Sequence, residues 1–161
     1  MKRLPNLIIS AGDPAGIGLD LCVFLAFKKF LANITIIGNK DAILSRAGKL
    51  KKNIKISTKL GSHLGNGELK IINLDYKNPV VPGKLDKSNS LQQLKGLKNS
   101  IELCLSKKFD ALITLPIHKK ILSSKKIKFT GHTEYIADAC GLKGNEVMLL
   151  SSKKLNVALA T

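Results

Sequence analysis

The chain has 161 residues, of which 44% are hydrophobic, so it is long and apolar enough for one globular domain and is not intrinsically disordered. No apolar run is long enough to cross a bilayer and no signal-peptide pattern is present, so we expect a cytoplasmic protein. The formal net charge is +16, but the excess is nearly all lysine, spread along the chain, and aromatic residues make up only 4%. Because nucleic-acid recognition favours arginine and aromatic stacking, a nucleic-acid partner is the less favoured interpretation.

Three cysteines are present, Cys22, Cys104 and Cys140, and they stand far apart without a CxxC pair. This number and spacing argue against a disulfide framework and against a zinc ribbon. We therefore predict three free thiols that are buried as small hydrophobic side chains in a reducing compartment.

Short apolar runs alternate with segments of helical periodicity along the chain. The predicted strands are residues 6–10, 34–37, 54–57, 69–74, 110–115, 147–150 and 157–160. The predicted helices are residues 14–27, 41–50, 88–106 and 134–140. We expect Asp13 to be the N-cap of the first helix, with Pro14 at its first position, and Gly141 to end the last helix. Apolar strands that alternate with helices predict an α/β sheet covered by helices on both faces.

A glycine-rich turn, SAGDPAGIG at residues 10–18, joins the first predicted strand to the first predicted helix. Free backbone N–H groups in such a turn can bind an anion. The spacing GxxxGxG differs from the dinucleotide-binding and P-loop patterns, and Gly38-Asn39-Lys40 stands where a ribose-binding acid is expected. From the residues alone, a ligand-binding loop and a tight capped turn are equally good interpretations.

The segment TLPIHK, residues 114–119, follows the strand predicted at 110–115. Ligands bind at the carboxyl ends of strands in open α/β sheets, so Thr114, His118 and Lys119 are candidate ligand contacts. The solvated face of a short helix explains His118 and Lys119 as well, and is the favoured interpretation of these two residues by themselves.

The segment FTGHTEY, residues 129–135, places a glycine, an imidazole, a hydroxyl and a carboxylate before a predicted helix. His132 can exchange a proton near neutral pH, and Thr133 can cap the helix or bind a ligand oxygen. A capping loop and a binding loop both remain open. His63 lies in a loop rich in glycine, serine and asparagine, and we predict that it is solvated. The spacing of residues supplies neither a metal motif nor a partnered nucleophile.

In this order, AGDPAGIG, LITLPIHK and FTGHTEY resemble the 4-hydroxythreonine-4-phosphate dehydrogenases, and the closing VALAT is similar to that family too. The resemblance runs from residue 6 to residue 161, although residues 40–86 match poorly. Two departures stand out. Leu19-Asp20 replaces the family's usual Pro-Glu, and Leu115 replaces a common glycine.

The resemblance implies a fold of the isocitrate and isopropylmalate dehydrogenase type, α/β with a mixed sheet and helices on both faces. It implies oxidation of 4-phosphooxy-L-threonine by NAD or NADP to 2-amino-3-oxo-4-phosphooxybutanoate, which decarboxylates to 3-amino-2-oxopropyl phosphate in vitamin B6 biosynthesis. His132 and Thr133 match the family's substrate contacts, and Asp13, His118 and Lys119 are possible active-site neighbours. A homodimer and a divalent metal (zinc, magnesium or cobalt) are also implied.

The resemblance places the metal-binding histidines and the main phosphate- and nucleotide-binding residues after Thr161. The sequence also stops inside the apolar run VALAT. We therefore expect residues 1–161 to be the N-terminal portion of a truncated dehydrogenase that is inactive alone. Three alternatives remain: an inactive remnant of a split or decayed gene, a basic nucleic-acid-binding module, and a phosphate-metabolite-binding domain without chemistry.

Overall fold

The computed structural model describes residues 3–59, 61–123 and 129–159 as an α/β fold. Five parallel strands form one sheet in the order β3-β4-β2-β1-β5. Its strands are β1 (Asn6–Ser10), β2 (Asn33–Gly38), β3 (Lys55–Ser57), β4 (Glu68–Asn73) and β5 (Ala111–Thr114). The helices are α1 (Gly18–Leu25), α2 (Lys40–Lys49), α3 (Ser90–Leu105), α4 (Lys119–Leu122) and α5 (His132–Ala139). The α/β prediction with helices on both faces is therefore confirmed.

The two central strands are apolar on both sides, because helices cover both faces of the sheet. Ile9 and Ile36 point to the face covered by α1 and α2, where they pack with Val23 and Ile43. Successive side chains of a strand alternate between faces. The neighbours Ile8 and Ile37 therefore belong to a separate cluster on the other face.

The second face is covered by α3, and α4 and α5 pack against this helix in turn. Leu94, Leu97 and Ile101 are buried along one side of α3, as the predicted helical periodicity requires. Leu122 of α4 and Phe129, which precedes α5, complete this cluster. The cluster fixes the segment that carries His132 against the rest of the fold.

The start of the first helix differs from the prediction. α1 begins at Gly18 with Ile17 as its N-cap, so Asp13 is not the cap and Pro14 is not the first helical residue. Instead, Asp13 closes a separate turn, since its carbonyl oxygen accepts a hydrogen bond from the Gly16 N–H at 3.0 Å. Asp followed by Pro favours such a turn, and the helix starts only after it.

The buried face of α1 also differs from its most obvious apolar stripe. Ile17, Leu21, Phe24 and Phe27 repeat at helical spacing, yet all four are exposed. The face that packs on the sheet consists of Leu19, Cys22, Val23 and Ala26. Because nearly every residue of this helix is apolar, periodicity alone does not distinguish the two faces.

The prediction that His63 is solvated is wrong, because its side chain is buried. The Nε2 atom lies 3.1 Å from the carbonyl oxygen of Leu25 and 2.8 Å from that of Lys28. The carbonyl oxygen of Leu25 also accepts the N–H of Lys28 at 2.9 Å, whereas that of Lys28 is satisfied by an N–H donor from His63. The loop that looked solvated is thus attached to the C-terminal end of α1.

The three cysteines are free thiols, as predicted, but only Cys22 is fully buried. Burial is the main cause that raises the pKa of Cys22, to about 12, and the charge of Asp20 adds to it. Cys104 and Cys140 are half-buried at the periphery of the clusters around α3. Cys22 therefore stays a thiol at neutral pH and acts as a packing residue.

Strands β6 (Met148–Ser151) and β7 (Asn156–Leu159) form a separate antiparallel hairpin. The sheet predicted as mixed thus consists, in the described residues, of a parallel sheet and this hairpin. The end of the last predicted strand, residue 160, lies outside the described residues. Among the described helices, none has the length and apolar character that a bilayer crossing requires.

Candidate functional site

The carboxyl ends of β1 and β5 form the position in the sheet where a ligand site is expected. From β1 the chain builds the sheet first toward β2 and β4, and later returns to add β5 on the opposite side. In open α/β sheets such a reversal leaves a crevice between the loops that follow the two strands. These loops are the glycine-rich turn and the TLPIHK segment, so the fold brings two of the three sequence motifs together.

The glycine-rich turn and the TLPIHK segment are joined by backbone hydrogen bonds. The N–H of Leu115 donates to the carbonyl oxygen of Ser10 at 3.0 Å, and the N–H of Asp13 donates to that of Pro116 at 2.9 Å. Gly12 lies between these bonds with a φ of +74°, and a Cβ there would overlap the Pro116 carbonyl oxygen. Only glycine therefore allows the close approach of the two loops.

The other glycines of the turn are likewise explained by contacts within the protein. A Cβ at Gly18 would overlap the carbonyl oxygen of Ala11, and one at Gly16 would lie 3.3 Å from that of Asp13. A side chain on these glycines would thus press against the backbone of the turn itself. Of the two open interpretations, the tight turn therefore accounts for its glycines.

Arg46 of α2 holds this turn through hydrogen bonds, and no sequence motif indicated it. Its buried guanidinium donates to the carbonyl oxygens of Pro14 at 3.2 Å and Gly16 at 3.1 Å, and it pairs with the carboxylate of Asp20. Asp20 belongs to the departure Leu19-Asp20, so the position keeps a carboxylate that serves Arg46. The sequence does contain one sign of a special role for this residue, because Arg46 is one of two arginines in a lysine-rich chain.

Asp13 and His118 line the same cleft, which has a volume of about 300 Å³. Asp13 is buried, and its Oδ1 atom accepts a hydrogen bond from the N–H of Ala15 at 2.9 Å. His118 is exposed at the N-terminal end of α4 and makes no capping hydrogen bond. The other wall of the cleft is formed by Gly83 and Leu85, from a loop whose Gly83 N–H donates to the Ala15 carbonyl at 2.8 Å.

Tyr76 is a second residue near Asp13 that the sequence did not indicate. Burial raises the pKa of its phenol above the usual value, and the charge of Asp13 raises it further. The phenol therefore remains protonated and neutral through the physiological range, so it adds no charge to the surroundings of Asp13. Tyr76 reaches this position from the loop after β4, about sixty residues along the chain, and no local pattern marks it.

The FTGHTEY segment brings Lys119 next to His132. The helix starts at His132, two residues before the predicted start at Glu134, so His132 and Thr133 lie in its first turn. A Cβ on Gly131 would lie 2.5 Å from the Glu134 Oε2 atom and 3.6 Å from the Lys119 Nζ atom. The side chains of Lys119 and Glu134, which come from two different elements, thus both lie close to the backbone of Gly131.

His132 is half-buried, and its Nε2 atom is buried without a hydrogen-bond partner in the described part of the chain. The edge of its ring meets Phe129, with 6.1 Å between ring centroids. Burial lowers the pKa of His132, and the positive charge of Lys119 lowers it further. The imidazole is therefore neutral at neutral pH, with one ring nitrogen available to a ligand.

The remaining predicted residues have simpler surroundings. Thr133 is half-buried in the first turn of α5, which has no side-chain cap. Thr114 is half-buried at the end of β5, and Lys119 is exposed. Across residues 3–59, 61–123 and 129–159, no three His, Cys, Asp or Glu side chains come together in a way that would hold a metal ion. The residues described here therefore do not fit the metal that the resemblance implies.

Comparison with known proteins supports the family resemblance. Residues 30–161 match the family model described as pyridoxal phosphate biosynthetic protein PdxA. A 4-hydroxythreonine-4-phosphate dehydrogenase of Acidithiobacillus ferrooxidans is 38% identical, over 98% of this chain and 48% of the relative. The one from Methylococcus capsulatus is 37% identical, over 98% of this chain and 48% of the relative.

Solved structures give the same result for the fold. The crystal structure of a 4-hydroxythreonine-4-phosphate dehydrogenase from Burkholderia phymatum superposes with a TM-score of 0.86 at 25% identity. The superposition covers 98% of this chain and 49% of that chain. The chain thus spans about half the length of the relatives it matches. With a family model that covers most of its residues, the chain belongs to the PdxA family of pyridoxal phosphate biosynthetic proteins.

Proposed function

We propose that this chain forms the substrate-binding part of an NAD- or NADP-dependent dehydrogenase that oxidises 4-phosphooxy-L-threonine. The ketone product, 2-amino-3-oxo-4-phosphooxybutanoate, then decarboxylates to 3-amino-2-oxopropyl phosphate on the way to pyridoxal phosphate. Membership of the PdxA family and the name shared by the relatives support this proposal. In it, residues 1–161 supply the N-terminal portion, and the metal- and nucleotide-binding portion corresponds to the other half of the relatives.

The observation that carries the proposal is the unpartnered Nε2 atom of His132. A buried ring nitrogen without a partner is unfavourable, and a ligand oxygen that bonds to it removes the penalty. The neutral ring can donate to or accept from a hydroxyl or phosphate oxygen, according to its tautomer. Thr133 offers a hydroxyl beside it, and the first-turn N–H groups of α5 favour an anion.

The cofactor and the metal belong to the proposal as requirements of the reaction. A dehydrogenation needs NAD or NADP to accept hydride, and a divalent metal (zinc, magnesium or cobalt) stabilises charge on the reacting oxygen when it is bound. Packing within the chain accounts for the glycines of the turn, and no described group of residues fits a metal. The role proposed for this chain is therefore to bind and orient substrate. We also propose a cytoplasmic homodimer, in keeping with the family resemblance.

Binding of the substrate tests this role directly. We expect isothermal titration of the 161-residue chain with 4-phosphooxy-L-threonine to give saturable binding, which His132→Asn weakens about tenfold or more, the loss of one buried hydrogen bond. Thr133→Val is expected to weaken binding less, because Thr133 is only half-buried. Asp138→Asn, on the exposed side of the same helix, is the matched control. Equal binding by the His132→Asn variant and by the control would remove the proposed role of His132.

Turnover tests the division of the site between two parts of the protein. We expect the 161-residue chain, mixed with substrate, NAD+ and zinc, to give no NADH, because its described residues hold no group of three metal ligands. Turnover at an ordinary enzyme rate of about 1 s⁻¹ or more would contradict the proposed division. Binding without turnover would support it.

A further inference from the structure

Lys119 and His132 come from two different sequence motifs that the fold fixes against each other. Leu122 of α4 and Phe129 are buried in the same cluster, together with residues of α3. The hydroxyl of Ser123, which follows α4, donates a hydrogen bond to the carbonyl oxygen of Phe129 at 3.0 Å. The helix that carries Lys119 is therefore held beside the start of the helix that carries His132.

The ammonium group of Lys119 lies close to the backbone that leads into α5. Its Nζ atom is 3.6 Å from the position that a Cβ on Gly131 would occupy, and Gly131 is bonded directly to His132. Burial and, after it, the positive charge of Lys119 lower the pKa of His132. Lys119 therefore belongs to the same group of polar side chains as His132, whose Nε2 atom has no hydrogen-bond partner in the described residues.

Lys119 has no carboxylate partner in the described part of the chain. Glu134 is close by, since its Oε2 atom lies 2.5 Å from the same Cβ position. The ion pairs formed within residues 3–59, 61–123 and 129–159 nevertheless do not include Lys119. An ammonium group without a carboxylate partner, next to a neutral imidazole, suits a ligand that carries an anionic group.

We propose that Lys119 is a further substrate-binding residue, whose ammonium group pairs with an anionic group of the ligand that His132 and Thr133 bind. This inference rests on the proposed function, because it adds a charged contact to that site. The chemistry recognised is an anionic oxygen group, and 4-phosphooxy-L-threonine carries two, a carboxylate and a phosphate. A hydrogen bond from an ammonium group to either one is stronger than a bond between neutral groups.

Substitution of one lysine at a time tests the assignment. The 161-residue chain is titrated calorimetrically with 4-phosphooxy-L-threonine as the wild type and as the Lys119→Met and Lys119→Arg variants. We expect Lys119→Met to weaken binding about tenfold or more, the loss of one charge-assisted hydrogen bond. Lys119→Arg keeps the charge and should bind within about threefold of the wild type.

Lys120→Met is the matched control for Lys119→Met. It removes the same charge from the next residue of α4, which is also exposed and points about 100° away around the helix. We expect this control to bind within about twofold of the wild type, because only the general attraction of a positive surface is reduced. Both variants should melt near the wild-type temperature, since both lysines are exposed.

A second ligand identifies which anionic group Lys119 binds. The compound 3-amino-2-hydroxypropyl phosphate lacks the carboxylate and keeps the phosphate. If Lys119→Met weakens this ligand as much as the complete substrate, about tenfold or more, the phosphate is the group bound. If its effect on this ligand falls within about twofold while the effect on the complete substrate remains, the carboxylate is the group bound.

The placement of Lys119 beside His132 can be measured without a ligand. The chain contains three histidines, so NMR titration follows each imidazole separately. Lys119→Met removes a positive charge, and we expect the pKa of His132 to rise. The imidazole signals of His63, which is attached to the end of α1, are the internal reference. A pKa of His132 that does not change in Lys119→Met would overturn the geometry on which the assignment rests.

The binding results separate this inference from the proposed function. A loss of affinity in Lys119→Met that Lys120→Met does not share supports the assignment. Equal binding by these two variants overturns it, and the proposed function stands if His132→Asn still weakens binding. Failure of the wild type to bind 4-phosphooxy-L-threonine at millimolar concentration overturns the assignment together with the proposed function.

Discussion

Arg46 donates a hydrogen bond of 3.1 Å to the carbonyl oxygen of Gly16, which lies thirty residues earlier in the chain. The same guanidinium binds the Pro14 carbonyl and the Asp20 carboxylate, so one side chain of α2 holds both the turn and the start of α1. A planar group with several N–H donors suits this task, and an ammonium group does not reproduce it. The shape of the cleft at Asp13 therefore depends on a residue that does not line it.

Replacing Arg46 is expected to loosen the turn. Arg46→Met removes all three contacts and leaves two carbonyls and Asp20 without their donor, so we expect a loss of about 3 kcal/mol in the free energy of unfolding. Arg46→Lys should recover only part of it. Urea denaturation measures the loss, and hydrogen exchange at the Gly16 amide should accelerate. Arg3→Met is the control, because the side chain of Arg3 is 69% exposed, and we expect about 0.5 kcal/mol there. Similar effects of the two substitutions would contradict the role of Arg46.

Gly12 is expected to tolerate no side chain. Gly12→Ala places a Cβ against the Pro116 carbonyl at a φ of +74°, so both the collision and the backbone conformation oppose it. We expect a destabilisation of about 2–3 kcal/mol or failure to fold. Gly48→Ala is the matched control, since nothing lies within 4 Å of a Cβ there and Gly48 is inside α2. That control should be stabilised by about 1 kcal/mol. Thermal melts of both variants check the prediction, and a Gly12→Ala protein as stable as the wild type would contradict it.

His63 is expected to matter for stability although it lies in a loop. His63→Ala leaves the carbonyl group of Lys28 without its donor and the carbonyl group of Leu25 with only the N–H of Lys28, and we expect a loss of about 1–3 kcal/mol. His118→Ala, at an exposed position, should change the free energy of unfolding by less than about 0.5 kcal/mol. Denaturant titrations of the two variants measure this difference in the free energy of unfolding. A His63→Ala protein indistinguishable from His118→Ala would mean that water replaces the imidazole without loss.

The pKa of His132 predicts a dependence of stability on pH. Burial and the nearby Lys119 lower its pKa in the folded chain, so the unfolded chain binds a proton first as the pH falls. The wild type should therefore keep its full stability above about pH 6.5, the ordinary pKa of histidine, and lose stability as the pH falls below it. His132→Asn removes this dependence. Urea denaturation between pH 8 and pH 5 measures the free energy of unfolding of the wild type and of His132→Asn. The difference between these two free energies should shrink or reverse at low pH. A difference constant with pH would contradict the prediction.

Three strands of the sheet were predictable because their signals are local. β1, β2 and β5 coincide within one or two residues with apolar runs that end at a glycine or a proline. The helix boundaries were less predictable. α1 starts four residues after Pro14, because Asp13 and Gly16 close their own turn first. The sequence pattern could not predict which side of α1 is buried, since the residues on both sides of this helix are apolar.

Only part of the surroundings of the candidate site could be predicted from the sequence. The order of the motifs at residues 10–18 and 114–119 predicted that both follow strands, and parallel pairing brings them together. Arg46, Tyr76 and His63 were missed because each acts on an element far away in the chain. A buried arginine or histidine has the same local pattern as an exposed one, and only the packing of the whole fold distinguishes them.

The pairing of β1 with β5 also sets when the cleft comes into existence. Leu7 pairs with Ala111, so the two strands that carry the cleft are separated by roughly a hundred residues, whereas β2 follows β1 closely. At a synthesis rate of about 5–20 residues per second, β1 waits roughly 5–20 s on the ribosome before β5 emerges. During that interval one side of β1 is an open edge of unpaired backbone N–H and C=O groups. The cleft is consequently the last part of the sheet to be assembled. In a nascent chain the glycine-rich turn is present for seconds before the TLPIHK segment joins it to form the cleft.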